Sequence, residues 1–170
     1  MRIPTFIFGS LCALSTALAS PAADHPDFSG TWSSEGVRDG ADAYHELGSG
    51  WGVRITIAQQ GDRLVVTYPF FARGDMQPPV ELNYSTDGVA TQNRVMMGRG
   101  VQMQTSTARW NDGRLVITTR YSFELDGDRV MSEVVQRLWL DSPATLIVET
   151  TRGVALGGGV TTNQTTYRKL

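Results

Sequence analysis

The densest group of chemically capable side chains is Tyr44-His45-Glu46-Leu47-Gly48-Ser49-Gly50-Trp51-Gly52. It carries one of the two histidines in the chain; the other, His25, falls near the expected mature terminus. An imidazole beside a carboxylate can move protons near neutral pH, which makes His45 and Glu46 the acid–base candidates. Adjacent side chains often diverge, however, and a His-Glu step without the second histidine of a zinc helix is no metal motif. A lone His45 could equally cap backbone groups or ligate haem iron. Tyr44 and Trp51 flank a glycine-rich hinge, as expected of a lid whose rings stack on a ligand. The plainer use of the same residues is a loop packed against the body of the domain.

Two arginines, Arg94 and Arg99, bracket Val95-Met96-Met97-Gly98. A guanidinium beside a cavity takes a carboxylate or phosphate in two-pronged fashion; in open solvent it does neither. Met96, Met97 and Met103 could line an adaptable pocket or simply fill a core. Tyr68 and Phe70 alternate on one strand face and offer aromatic walls. No nucleophile elbow, phosphate loop, dinucleotide fingerprint, paired-carboxylate spacing or metal cluster is present. No metal site and no cofactor are therefore expected.

These residues sit on a chain that begins Met1-Arg2, followed by a mostly apolar run from Ile3 to Ala19 and small residues. One positive charge, a short apolar run and an Ala17-Leu18-Ala19 site fit a secretory signal, with Ser20-Pro21-Ala22 as a second cleavage site. Pro4, Gly9 and several hydroxyl residues interrupt the run, which disfavours a membrane anchor. The one cysteine, Cys12, lies inside this segment. Residues 1–22 are assigned as signal peptide and 23–170 as a single domain, periplasmic or secreted, with no membrane span after cleavage. The mature chain would hold no disulfide and no thiol chemistry. Its length is enough to bury a real core. The net charge of −2 and the lack of a basic run exclude nucleic acid as an expected partner.

No stretch keeps a helical period. Short alternating runs recur near 28–34, 52–60, 63–72, 80–85, 89–96, 101–110, 114–124, 129–140, 145–152 and 160–168. Between them stand Gly61-Asp62, Asp87-Gly88, Asn111-Asp112-Gly113, Asp126-Gly127 and Ser142-Pro143, the steps that supply tight turns. With Gly61-Asp62 as a two-residue turn, Ile57 faces Val66, Ile55 faces Tyr68 and Val53 faces Phe70, all on an inner face. With Asp126-Gly127 as another, Arg120 faces Glu133 and Glu124 faces Arg129 on an outer face. An antiparallel up-and-down meander of about eight to ten strands removes its edges best by closing into a β-barrel, in preference to a sandwich.

In such a barrel the connections alternate between two rims. One set, near Gly61, Ser85, Asn111 and Asp141, is tight. The other set, 35–51, 73–79, 97–100 and 153–159, is long or rich in Gly and Pro. Binding and chemistry are expected at the second rim.

Gly30-Thr31-Trp32 opens the first strand of this meander and resembles the Gly-x-Trp signature of lipocalins. The ending Thr166-Tyr167-Arg168 resembles the final strand of the wider calycin group, where an arginine packs across the first-strand tryptophan. The opening Phe28-Ser29-Gly30-Thr31-Trp32 also resembles small exported bacterial proteins described as lipocalin-like. The resemblance implies a calycin/lipocalin-like barrel in which Trp32 and Arg168 pair structurally as cation and ring. With Arg168 inward, Val160, Thr162, Gln164 and Thr166 would share its face, giving a cavity of mixed polarity. The functional expectation is a monomer or weak dimer that binds a small organic ligand of mixed polar and apolar character, through Tyr44, His45, Trp51, Tyr68, Phe70, Arg94, Arg99 and Met103. The alternatives are a small barrel enzyme (isomerase, cyclase or hydrolase) using His45 and Glu46, or a cell-envelope module with a filled barrel.

Overall fold

The computed structural model describes residues 25–35, 48–72, 74–97, 100–125, 127–153 and 159–170. The expected signal segment lies outside them, as do Tyr44, His45, Glu46 and Arg99. Ten strands follow in order: β1 Gly30–Ser33, β2 Arg54–Gln60, β3 Arg63–Ala72, β4 Asp75–Ser85, β5 Thr91–Met97, β6 Gly100–Asn111, β7 Arg114–Leu125, β8 Asp128–Ser142, β9 Thr145–Arg152 and β10 Thr161–Lys169. They form one sheet in the order β4-β3-β2-β1-β10-β9-β8-β7-β6-β5. All pairings are antiparallel. The result is an all-β up-and-down meander curled into a nearly closed barrel, compatible with a calycin-like fold. Its two free edges, β4 and β5, are neighbours in the chain.

Local turn chemistry sets the register. Gly61 and Asp62 join Gln60 to Arg63, which places Ile57 opposite Val66 as expected. Asp112 and Gly113 join Asn111 to Arg114 with φ of 49° and 73°. Two successive positive φ values match the twist of a hairpin, and Asp-Gly adopts them readily. On the outer face Arg120 stands opposite Glu133 and Glu124 opposite Arg129. The Arg120–Glu133 pair closes at 2.7 Å with both side chains largely exposed, so its contribution to stability is small.

The seam between β4 and β5 has no ladder. There the Asn83 N–H donates to Asn93 Oδ1 at 2.7 Å, and Asn93 Nδ2 donates back to the Asn83 carbonyl at 3.0 Å. One side-chain amide thus performs the two bonds of a missing rung. Above it, β4 carries Pro78 and Pro79, which have no N–H to offer a stray strand. These prolines also explain a correction. Of the segment 73–79, expected as a long loop, 75–79 form the start of β4, and Asp75 pairs with Ala72. The ladder with β3 shifts register between Tyr68 and Phe70, opposite the prolines. A bulge on an edge strand accommodates residues that cannot donate. Likewise, of 97–100, expected as a long connection, Met97 closes β5 and pairs directly with Gly100, the first residue of β6.

At the tight-turn end the interior is solid. Phe28, Trp32, Leu64, Leu115, Leu138, Leu146 and Tyr167 are completely buried. The Trp32 indole N–H donates to the Phe28 carbonyl at 2.9 Å, which satisfies its one polar atom. The expected Trp32–Arg168 pair is replaced. Trp32 lies opposite Lys169, whose Nζ sits 5.2 Å from the ring centroid, while Arg168 faces outward beside Ser33. The face of β10 is therefore shifted by one residue. Asn163, Thr165 and Tyr167 point inward, rather than Thr162, Gln164 and Thr166.

Candidate functional site

Above that solid half the barrel interior opens into a cavity of about 250 Å³. Its walls mix rings, amides and hydroxyls: Tyr68, Tyr84 and Tyr121, Gln104 and Gln136, Thr119, with Leu82, Val95 and Val134 between them. Each comes from the inward face of its strand, so the two-residue period of the strands selects them. Ser106 and Thr119 bond each other at 2.8 Å in the wall.

The segment 48–52 covers the cavity. Gly48, Gly50 and Gly52 have φ of 49°, 84° and 81°. This backbone strongly favours glycine. The alternation turns Ser49 and Trp51 into the barrel, each only 2% exposed. A relay of hydrogen bonds fixes them. The Trp51 N–H donates to Ser49 Oγ at 3.1 Å. Ser49 Oγ lies 2.5 Å from the Tyr167 hydroxyl, which itself donates to the Gly52 carbonyl at 2.6 Å. Gln136 Nε2 donates to the Ser49 carbonyl at 2.7 Å, and Arg152 donates to the Gly48 carbonyl at 2.8 Å. The roof is therefore tied to β8, β9 and β10.

Burial governs the electrostatics. It raises the Tyr167 hydroxyl to about 12, partly offset by the bond to Ser49. Burial likewise pushes Tyr84 well above its ordinary value, against a hydrogen bond from Trp51 and alongside the charge of Tyr68. Tyr68 is raised by burial alone. Burial lowers Arg152, partly offset by Tyr121. Arg152 is the one charged side chain among the described lining residues. These lining residues include no imidazole or carboxylate, and no group of three metal-ligating side chains occurs among the described residues. What the described walls can do is stack on, hydrogen-bond and enclose a molecule.

Of the residues expected from the sequence, Trp51 and Tyr68 line the cavity. Phe70 is half-buried and packs on the core beside it. Arg94 and Met103 do not line it. They are cross-strand partners on the outer face of β5 and β6, with Met103 52% exposed. Their inward neighbours are Asn93, Val95, Gln102 and Gln104. On β6 polar Gln102 and Gln104 face in while Val101 and Met103 face out, which reverses the usual assignment of faces. Sequence reasoning missed Ser49, Tyr84, Tyr121, Gln136 and Arg152. Tyr84 and Gln136 were recoverable, since each alternates with inward-facing apolar neighbours: Leu82 before Tyr84, and Val134 and Leu138 around Gln136.

Comparison with protein-family models, curated proteins and solved structures returned no match.

Proposed function

We propose that this chain is an exported, lipocalin-like binding protein. In this reading residues 1–22 direct export to the periplasm or beyond, and the barrel of 23–170 holds a small organic molecule under the Ser49–Trp51 roof. One observation carries it: half of the interior is packed solid, while the other half keeps an amphipathic cavity beneath a glycine-hinged cover. A structural barrel has no need of such a space, because interiors otherwise pack to crystal-like density. The volume of about 250 Å³ lies near the lower end of ligand pockets, which start at about 300 Å³. The ligand is therefore small. Aromatic rings beside amide and hydroxyl groups suit a compact, partly apolar molecule with a few hydrogen-bonding atoms.

A thermal-shift screen tests the reading. A ligand at a hundredfold excess over its dissociation constant is expected to add about 2.7 kcal/mol of stability. Val134 projects into the cavity, so Val134→Phe should abolish the shift while leaving the unliganded melting cooperative. A broad screen without any shift, or a shift that Val134→Phe leaves intact, would remove the proposal.

A further inference from the structure

We propose that the open end of the barrel docks on a lipid surface. Among the described residues, ten large hydrophobic side chains are exposed, and eight of them lie at the end where the cavity opens. The two others, Val89 and Leu170, lie at the opposite end.

The arrangement repeats between hairpins. In the β3–β4 hairpin the second cross-strand pair from the turn is Phe71–Met76, 64% and 60% exposed. In the β5–β6 hairpin the same position is Met96–Val101, each 45% exposed. Met103 follows two residues along β6, and Met131 stands near the start of β8. Val53 precedes β2 and Val160 precedes β10. By the sheet order these positions belong to strands all round the barrel. A groove-binding partner would need them on one side. A collar that encircles an opening instead meets a surface approached end-on, and a bilayer is an extended apolar phase of that shape.

The charges fit insertion to headgroup depth. Arg54, Arg94 and Arg129 are exposed within two residues of Val53, Met96 and Met131 respectively. Their long stems can follow apolar surface while the guanidinium stays at the interface. Asp75, Glu124 and Asp128 are exposed at the same end and offset them. Attachment therefore rests on apolar area, and zwitterionic lipid suffices. Below the collar the outer wall carries exposed polar residues while the packed half of the interior is apolar, the reverse of a transmembrane barrel, so the protein lies on the bilayer rather than across it.

Co-sedimentation with phosphatidylcholine vesicles tests this, using the folded chain. Wild-type protein is expected to sediment at millimolar lipid, with less than about a twofold change on raising salt, since exposed charges contribute little. The variant Phe71→Ser/Met76→Ser/Met96→Ser should partition at least tenfold less, and single Met76→Asp should also weaken binding. All of these side chains point outward, so melting should be unchanged. Absence of wild-type sedimentation, or equal sedimentation of the variants, overturns the proposal. So does end-on self-association that the triple variant abolishes while vesicles remain unbound, which would make the collar an interface between two copies of this chain. The outcome is independent of ligand binding, which is read by thermal shift in lipid-free solution.

Discussion

The side-chain amide of Asn93 occupies the place of a ladder rung against Asn83, accepting from its N–H at 2.7 Å and donating to its carbonyl at 3.0 Å. Asn93 is 3% exposed, so the exchange takes place out of solvent. Only a side chain with both a donor and an acceptor, at this reach, can serve both backbone groups. Asn93→Leu keeps the size and removes both partners. It is expected to destabilise the barrel by about 2–4 kcal/mol, the cost of leaving buried polar groups unmet. Urea unfolding measures this. A loss below about 0.5 kcal/mol would mean that the seam is held elsewhere.

The roof depends on backbone that only glycine adopts without strain. Gly50→Ala at φ 84° would place its Cβ in ordinary contact with Arg152, 3.5 Å from the nearest guanidinium nitrogen. Space is therefore not the obstacle, and the backbone strain alone is expected to remove about 1–2 kcal/mol. Trp51→Ala would open a void between roof and core and should remove about 3–5 kcal/mol. Hydrogen exchange at the Trp51 amide should quicken in Gly50→Ala before global unfolding does.

Alkaline pH should loosen the same region. Tyr167 is raised to about 12 from an ordinary value of 10.0, chiefly by burial. A raised folded value means that the neutral phenol is the stabilised form. Its contribution is complete below pH 10 and is lost as pH climbs from about 10 to about 12. Two units correspond to roughly 2–3 kcal/mol. Buried Tyr84 shifts in the same direction and adds to the slope. Unfolding free energy followed between pH 8 and 12 should fall over this window, and Tyr167→Phe should flatten part of the fall.

At the closed end, Lys169 rather than Arg168 caps Trp32. Lys169→Met is expected to cost about 0.5–1 kcal/mol, and Arg168→Ala should stay within about 0.5 kcal/mol of wild type. The opposite ranking in thermal melts would restore the shifted register of β10.

That register shows why part of the fold was legible and part was not. The hairpins around Gly61-Asp62 and Asp126-Gly127 were readable because turn residues and cross-strand partners agreed. In β10 the run Thr161-Thr162-Asn163-Gln164-Thr165-Thr166 is polar on both faces, so no hydrophobic pattern marks which side is inward. Only Tyr167 decides it. At the site, Trp51 and Tyr68 were readable as rings on a glycine hinge and on an inner strand face. Arg94 and Met103 were misplaced because the usual alternation inverts at the open end: Gln102 and Gln104 face inward while Val101 and Met103 face solvent. Arg152 lay outside reach, since its place in the wall depends on a pairing of β8 with β9 that its own segment does not reveal.

The central claim is that the half-empty barrel holds a small molecule, and native mass spectrometry of protein purified from its own host tests it most directly. Wild-type chain is expected to carry the mass of one small organic molecule above that of the polypeptide, and Val134→Phe, with its cavity filled, is expected to carry none. Bare polypeptide in both samples, or the same added mass in both, would contradict the claim.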